Sequence, residues 1–452
     1  MLKRITLITC AALLSLSAQQ AAAKVTAAEA AKLGQELTPI GAEKAGNKDG
    51  SIPEWKGGNP KKDYAPGEFP NDPSLDGEKP LYTITKANMA QYKDFLTEGH
   101  KKLLSSYDSY KMNVYPTHRV AAYPDFIYKA TAENALTAEL VGTDVATGAK
   151  LGFPFPIPKS AAEVIWNHKL KWRGNAVKRY NNQLIVQPSG DFQLTKIVED
   201  VKFYYANSEN PQPLTKDNQM FLKYLSQTIA PPRMAGTFIL VHEKGGLGEA
   251  GRAAWLYSPA LKRIRRAPTV QYDNPYEGTD GNQFYDQVDI YNGALDRYDW
   301  KLVGKKEMIL PYNAYKIGSN KVKFKDMVKP KHINQDLARY EKHRYWVIEG
   351  TVKAGTNHTF KKRVMYSDED SWSLQAVDCY DKQGQLYKFQ EGHMIYATNI
   401  QTSSSVPELI YDFTSGRYFV TAAANEDKPN DFSVNYGDDF FEASVVQKRT
   451  TK

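Results

Sequence analysis

Six carboxylates fall within a short stretch of this chain: Glu277, Asp280, Asp286, Asp289, Asp296 and Asp299. Glycoside hydrolysis uses two such groups, one as acid and one as nucleophile or base, at a set separation across a cleft. A solvated acidic loop is the competing reading, because spacing along the chain fixes no separation in space. Eight histidines, His100, His118, His168, His242, His332, His343, His358 and His393, stand apart from one another. None forms a His-x-x-x-His pair and no Cys-x-x-Cys occurs, so a zinc site would need distant segments to converge. The expectation is no metal, no cofactor and no catalytic residue.

Two strings imitate binding loops. Gly246-Leu247-Gly248-Glu249-Ala250-Gly251 has the letters of a dinucleotide fingerprint, but its glycines would have to open a helix that meets a pyrophosphate. The residues that follow, Ala253 to Tyr257, read as a strand, so a glycine-rich hairpin is expected. Asn47-Lys48-Asp49-Gly50-Ser51-Ile52 resembles the middle of a calcium loop. Aligned on Gly50, the first and last ligand positions fall on Ala45 and Lys56, whose side chains lack oxygen, so a tight turn is expected. There is no Gly-x-Ser-x-Gly elbow, and Cys379 has no evident base. Lys262-Arg263-Ile264-Arg265-Arg266 is the densest basic cluster. On a strand it makes either a charged sheet edge that resists strand addition or a patch, formed by Lys262, Arg263, Arg265 and Arg266, for anionic headgroups or an acidic partner.

The elements that carry these residues follow from pattern. Lys3 and Arg4, an apolar run from Ile5 to Leu16, and Ala21-Ala22-Ala23 read as a secretory signal over residues 1–23, cut before Lys24. The run is too short to span a bilayer, and Cys10 lies inside it rather than at its end, so the mature protein is expected in the periplasm without a membrane span or lipid anchor. The chain has 452 residues and a formal charge of +8, two units of which belong to Lys3 and Arg4. The basic excess is spread out and does not call for nucleic acid. Cys10 and Cys379 are its two cysteines, so the mature protein has no internal disulfide, and Cys379 is expected to be buried.

A helix is expected from Ala27 to Glu36, then a Gly/Pro-rich tract over 40–80, a helix from Asn88 to Leu104, an extended Tyr110–Ala130, and a helix from Ser160 to Trp172. Strands are expected at Gln183–Pro188, Asp191–Tyr205, Gly236–Glu243, Arg252–Ser258, Arg263–Pro268, Tyr298–Leu310, Arg339–Val352, Thr359–Asp368, Ser371–Tyr380, Leu386–Thr398 and Val406–Phe413. Short turns between them require antiparallel neighbours, and alternation gives each strand one apolar face, with Trp372, Leu374 and Ala376 together. The fold class is α+β, a large curved antiparallel sheet, an incomplete barrel, covered by a few helices. Residues 24–159 form a loop-rich and helical region wrapping the core, 160–425 the sheet core, and 426–452 a C-terminal tail.

Leu37-Thr38-Pro39-Ile40-Gly41-Ala42-Glu43-Lys44-Ala45-Gly46-Asn47 with Ile52-Pro53-Glu54-Trp55 resembles the opening of the DUF1329 family of exported bacterial proteins. Asp273-Asn274-Pro275-Tyr276-Glu277-Gly278-Thr279-Asp280-Gly281, Asp296-Arg297-Tyr298-Asp299-Trp300 and Tyr387-Lys388-Phe389-Gln390-Glu391-Gly392-His393 resemble it too. The segment Trp255 to Arg266 is similar to a strand–turn–strand of the outer-membrane lipoprotein-sorting carriers. The resemblance implies an incomplete antiparallel barrel with an apolar cavity for acyl chains, serving a trans-envelope path with an outer-membrane barrel protein and a resistance-nodulation-division exporter as partners.

Strand alternation pairs Phe238 with Leu240, Trp255 with Tyr257, Trp346 with Ile348, and Trp372 with Leu374. If these faces form one concave surface, they line the cavity for a lipid or other hydrophobic molecule. Two other readings remain open: an accessory subunit that docks on an exporter and carries nothing, and a hydrolase using the carboxylates of Asp280–Asp299.

Overall fold

A computed structural model describes residues 25–246, 251–267 and 272–450. The signal over 1–23, Cys10 and the cut before Lys24 lie outside the described residues, as does most of the glycine string, at 247–250. No helix of the described residues is long and apolar enough to cross a membrane.

One large sheet dominates. β1 (Tyr82–Ile84) and β2 (Met112–Val114) lie at one edge, while β3 (Glu139–Val141) and β4 (Val145–Thr147) form a separate hairpin. β5 (Ala176–Val186), β6 (Phe192–Phe203), β7 (Met220–Ala230), β8 (Phe238–Lys244), β9 (Arg252–Ser258) and β10 (Arg263–Arg266) follow. The second run is β11 (Tyr298–Pro311), β12 (Tyr340–Val352), β13 (Lys362–Asp368), β14 (Leu374–Tyr380), β15 (Leu386–Ala397), β16 (Thr402–Asp412) and β17 (Tyr418–Ala423). Each run is an antiparallel meander, and β17 pairs with β5 to join them into the order β1-β2-β12-β13-β14-β15-β16-β17-β5-β6-β7-β8-β9-β10, with β11 also on β12. The sheet ends at β10 without closing into a barrel. Short turns force most of this antiparallel order, as the sequence implies, whereas β6 with β7 and β11 with β12 pair antiparallel across long connections.

Helices lie on both faces. α1 (Ala27–Ala30) is a single turn, shorter than the expected Ala27–Glu36. α2 (Glu98–Ser106) starts afresh at Thr97, whose Oγ1 accepts from His100 N at 3.1 Å, so the expected helix over Asn88–Leu104 is split into a 3-10 turn and α2. α3 (Asp125–Thr137) replaces the last six residues of the expected extended stretch Tyr110–Ala130. Its buried Ile127, Ala130, Thr131, Asn134 and Ala135 carry a helical period that runs past the polar residues between them. α4 (Ala161–Lys169) has the expected Ser160 N-cap and a capping box with Glu163.

α4 and its C-cap residue place Ile165, Trp166 and Leu170 in one core with Ile348, Met365, Leu374, Val377 and Cys379 of the sheet. α2 and the loops around it put Leu103, Leu104 and Tyr110 against Phe389, Leu409 and Tyr411 on the opposite face. A Cβ on Gly99 would come within 2.1 Å of the Phe389 ring, which is how closely α2 sits on β15. Strands β12–β16 are therefore covered on both sides, unlike the expected single apolar face. A bulge between β13 and β14 also separates Leu374 from Ala376: Leu374 joins the α4 face and Ala376 the α2 face.

Candidate functional site

Beyond α4, the same face of β5–β9 is covered by a loop. Residues 272–292 lie across it, and Tyr276 and Tyr285 pack with Ile239, Val241 and Ala254, next to Leu256 and Tyr224. Between this loop and the sheet is a cavity of about 110 Å³. Val201, Phe203, Leu222, Tyr224, Ile239 and Val241 supply its apolar wall, and Arg179, Glu199, Glu243, Arg252, Asp289 and Glu408 its charged surface. Further along β5, past the cavity-lining Gln183, Ile185 opens a second hollow of about 420 Å³ with Leu194, Pro231, Met234 and Gly278.

The charges lining the cavity are mostly paired. Arg179 donates to Glu199, whose other oxygen accepts from Asn181 at 2.8 Å and Tyr224 at 2.7 Å. Arg252 Nε donates to Glu243 at 2.7 Å, and Tyr272 Oη to its other oxygen at 2.6 Å. Asp289 accepts from Lys171 Nζ at 3.1 Å and Arg173 at 2.6 Å. Burial opposes its ionisation, but those two cations outweigh it and hold the carboxyl well below its ordinary range. Glu408 makes no such ion pair, and the more distant Arg179 and Lys171 help it too little. Burial, with the Asp289 charge beside it, pushes its carboxyl up to about 8, although it accepts from Ile290 N at 3.2 Å. The backbone is left-handed at Asp289 (φ 52°) and at the β-branched Ile290 (φ 63°), a strained turn fixed by these contacts.

The stretches singled out in the sequence meet at this loop. Lys388 Nζ donates to the carbonyls of Gly281 and Asn282, each at 3.0 Å, and Gln390 Nε2 to that of Gln287 at 2.7 Å. Arg297 pairs with Asp273. Asp286 is buried between Arg363 at 2.5 Å and His358 at 3.0 Å. The 272–292 loop is thus anchored at its base and along its return, with the two tyrosines between those anchors.

The proposed cavity residues divide into two groups. Ile348, Trp372 and Leu374 are buried in the core beneath α4, and Trp346 stacks on Trp372 with ring centroids 6.3 Å apart. Leu240 packs under Tyr436, Phe441 and Val446 of the C-terminal segment, with Phe238 and Trp255 beside it. Tyr257 is the cross-strand partner of Phe238 and makes an edge contact with its ring. These four lie on the face opposite the cavity. They do not form one concave surface with the first group, and the cavity falls instead on the residues that alternate with them, such as Ile239 and Val241. Lys262, Arg263, Arg265 and Arg266 are exposed at the end strand, and Arg266 also sits 5.5 Å from the Trp255 ring centroid.

The carboxylates follow suit. Asp286 and Asp289 are held in the ion pairs above, and Asp280 pairs with Arg417 at the surface at 2.9 Å. Asp49 and Ser51 in the Asn47–Ile52 turn accept from Lys342 Nζ at 3.2 and 3.0 Å, so a lysine occupies the place of a cation. His343, Asp368 and Asp370 bring potential metal-binding atoms within 4.8 Å of one another. Both Asp370 oxygens, however, already accept from Arg119, at 2.7 and 2.8 Å, which leaves an incomplete set. Sequence reasoning missed Tyr224, because β7 went unread, and Glu408, a lone acid ahead of the apolar Leu409-Ile410-Tyr411.

A family model described as protein of unknown function (DUF1329) matches residues 83–447. An uncharacterized protein of Pseudomonas aeruginosa is 44% identical over 421 residues, 92% of this chain and 91% of that protein. A domain from Vibrio parahaemolyticus assigned to outer-membrane lipoprotein sorting aligns with 63% of this chain and 97% of its own, at 15% identity and a TM-score of 0.43. A DUF1329 family protein from Desulfovibrio piger aligns with 60% of this chain and 92% of its own, at 18% identity and a TM-score of 0.41.

Proposed function

We propose that this chain, which belongs to the DUF1329 family, is a periplasmic carrier that takes a hydrophobic molecule beneath its 272–292 loop. The observation that carries this reading is the cover on Ile239, Val241, Ala254 and Leu256. Elsewhere on that face the sheet is packed by α4, with Phe284, Ile290 and Tyr291 of the loop joining its core, but here the apolar strip is covered by two tyrosine side chains of the loop rather than by an α-helix. A sheet face covered in this way can exchange tyrosine for ligand without unpacking a helix.

The cavity, about 110 Å³, is smaller than the cavity of roughly 150 Å³ that accepts benzene in an engineered protein. Binding a longer chain therefore requires Tyr276 and Tyr285 to swing out. The hollow beside Met234 and Gly278 offers the way in. Arg179, Arg252 and Arg173 are already paired with Glu199, Glu243 and Asp289, so a neutral hydrophobe suits the site better than a fatty-acid anion. Each methylene buried would contribute about 0.8 kcal/mol.

Mass spectrometry of an organic extract of the protein purified from its native periplasm tests the reading. The expected result is a neutral lipid-like molecule in near-stoichiometric amount. Extracts indistinguishable from those of a control periplasmic protein would oppose it.

A further inference from the structure

The sheet ends at β10, whose outer side meets no strand among the described residues. One side chain takes a strand's place there. Gln447 Oε1 accepts from Ile264 N at 2.6 Å, and its Nε2 donates to Lys262 O at 3.4 Å. Bonding the carbonyl of one residue and the amide of the residue two further on is what a parallel strand would do. Gln447 belongs to the C-terminal helix Ala443–Thr450, held down by Val446, which is buried with Leu240 and Phe441.

We propose that the β10 edge is a docking site for an extended acidic segment of a partner protein, with Gln447 as its displaceable plug. The side-chain amide satisfies one donor and one acceptor, and an incoming backbone would satisfy the same pair while extending along the strand. Charge selects the partner. Arg263 and Arg265 are exposed on β10, and Lys262 is exposed at its start. A second copy pairing edge to edge would set arginine against arginine, which disfavours self-association. Alternating acidic side chains would meet these cations, whereas a lipid surface would use the charges and leave the amide pattern unread.

The probe is a fluorescent peptide of alternating Glu and Val, compared with the same peptide N-methylated at alternate amides and with a Lys-Val counterpart. The full protein should bind the first and reject the other two. Gln447→Ala should tighten binding by about fivefold, the scale of one exchanged hydrogen bond. Arg263→Glu with Arg265→Glu should abolish it, with circular dichroism confirming the fold. Equal binding of the N-methylated peptide would overturn the proposal. So would binding to phosphatidylglycerol vesicles without binding to the peptide, or dimerisation of Gln447→Ala. None of these readouts depends on the cavity binding a ligand.

Discussion

Tyr224 of β7 and Tyr276 of the covering loop face each other across the cavity with their hydroxyl oxygens 3.5 Å apart. Tyr224 also donates to Glu199, so the sheet's side of this contact is fixed, and Tyr276 is the side that can leave. Tyr276→Ala and Tyr285→Ala should each cost about 3 kcal/mol of stability, as loss of a buried aromatic does, measured by urea unfolding. Both should also admit larger probes than the native protein, since the space they vacate joins the existing cavity.

The return of the loop should behave differently from its tip. Asp286 is buried against Arg363 and His358, whereas the Asp280 side chain is 72% exposed in its pair with Arg417. Removing one partner of a buried pair strands the other, so Asp286→Ala should cost about 3–5 kcal/mol. Asp280→Asn should stay within about 0.5 kcal/mol of the native protein. Similar losses in both variants would mean that the loop is not anchored as described.

Glu408 sets a pH dependence. Its folded carboxyl sits at about 8 against an ordinary 4.5, because burial beside Asp289 disfavours the charge. Between those values the folded state holds a proton that the unfolded state has lost, so stability falls as pH rises through this window. Glu408→Gln removes the contribution. The urea midpoint of the native protein should drop from pH 5 to pH 8 relative to that of the variant, and parallel profiles would contradict the assignment. Burial holds the His168 imidazole at about 3. That acts in the opposite sense, with stability lost as pH falls below the ordinary histidine range.

Cys379 faces the α4 core, and burial pushes its thiol up to about 12. Reaction with a thiol reagent should be negligible in the folded protein and complete in denaturant. Rapid labelling at neutral pH without unfolding would show that this core opens.

The meander was readable because its turns are short and its alternation regular, as at Tyr387 to Gln390. β7 was not: Lys223, Ser226 and Gln227 break its apolar run, and its place is set by pairing with β6 and β8. α3 was hidden because its buried face includes Thr131 and Asn134. The cavity failed for a different reason. Large side chains such as Trp255 and Leu240 pointed to a ligand face, but alternation cannot say which face of a sheet its own C-terminus will cover. Tyr276, in contrast, stood inside a stretch the sequence had already marked. What the sequence could not give was the face of sheet that the stretch would meet.

Uptake of a fluorescent sterol by the purified mature protein tests the carrier account most directly, with Val241→Trp to fill the cavity and the Tyr276→Ala, Tyr285→Ala double variant to enlarge it. Val241 lies on the cavity wall, whereas Leu374 lies beneath α4, where a polar substitution would disturb the core instead. With circular dichroism showing all three proteins folded, the account predicts saturable uptake by the native protein, stronger uptake by the double variant and little by Val241→Trp. Equal uptake by the three, or none by any, would contradict it.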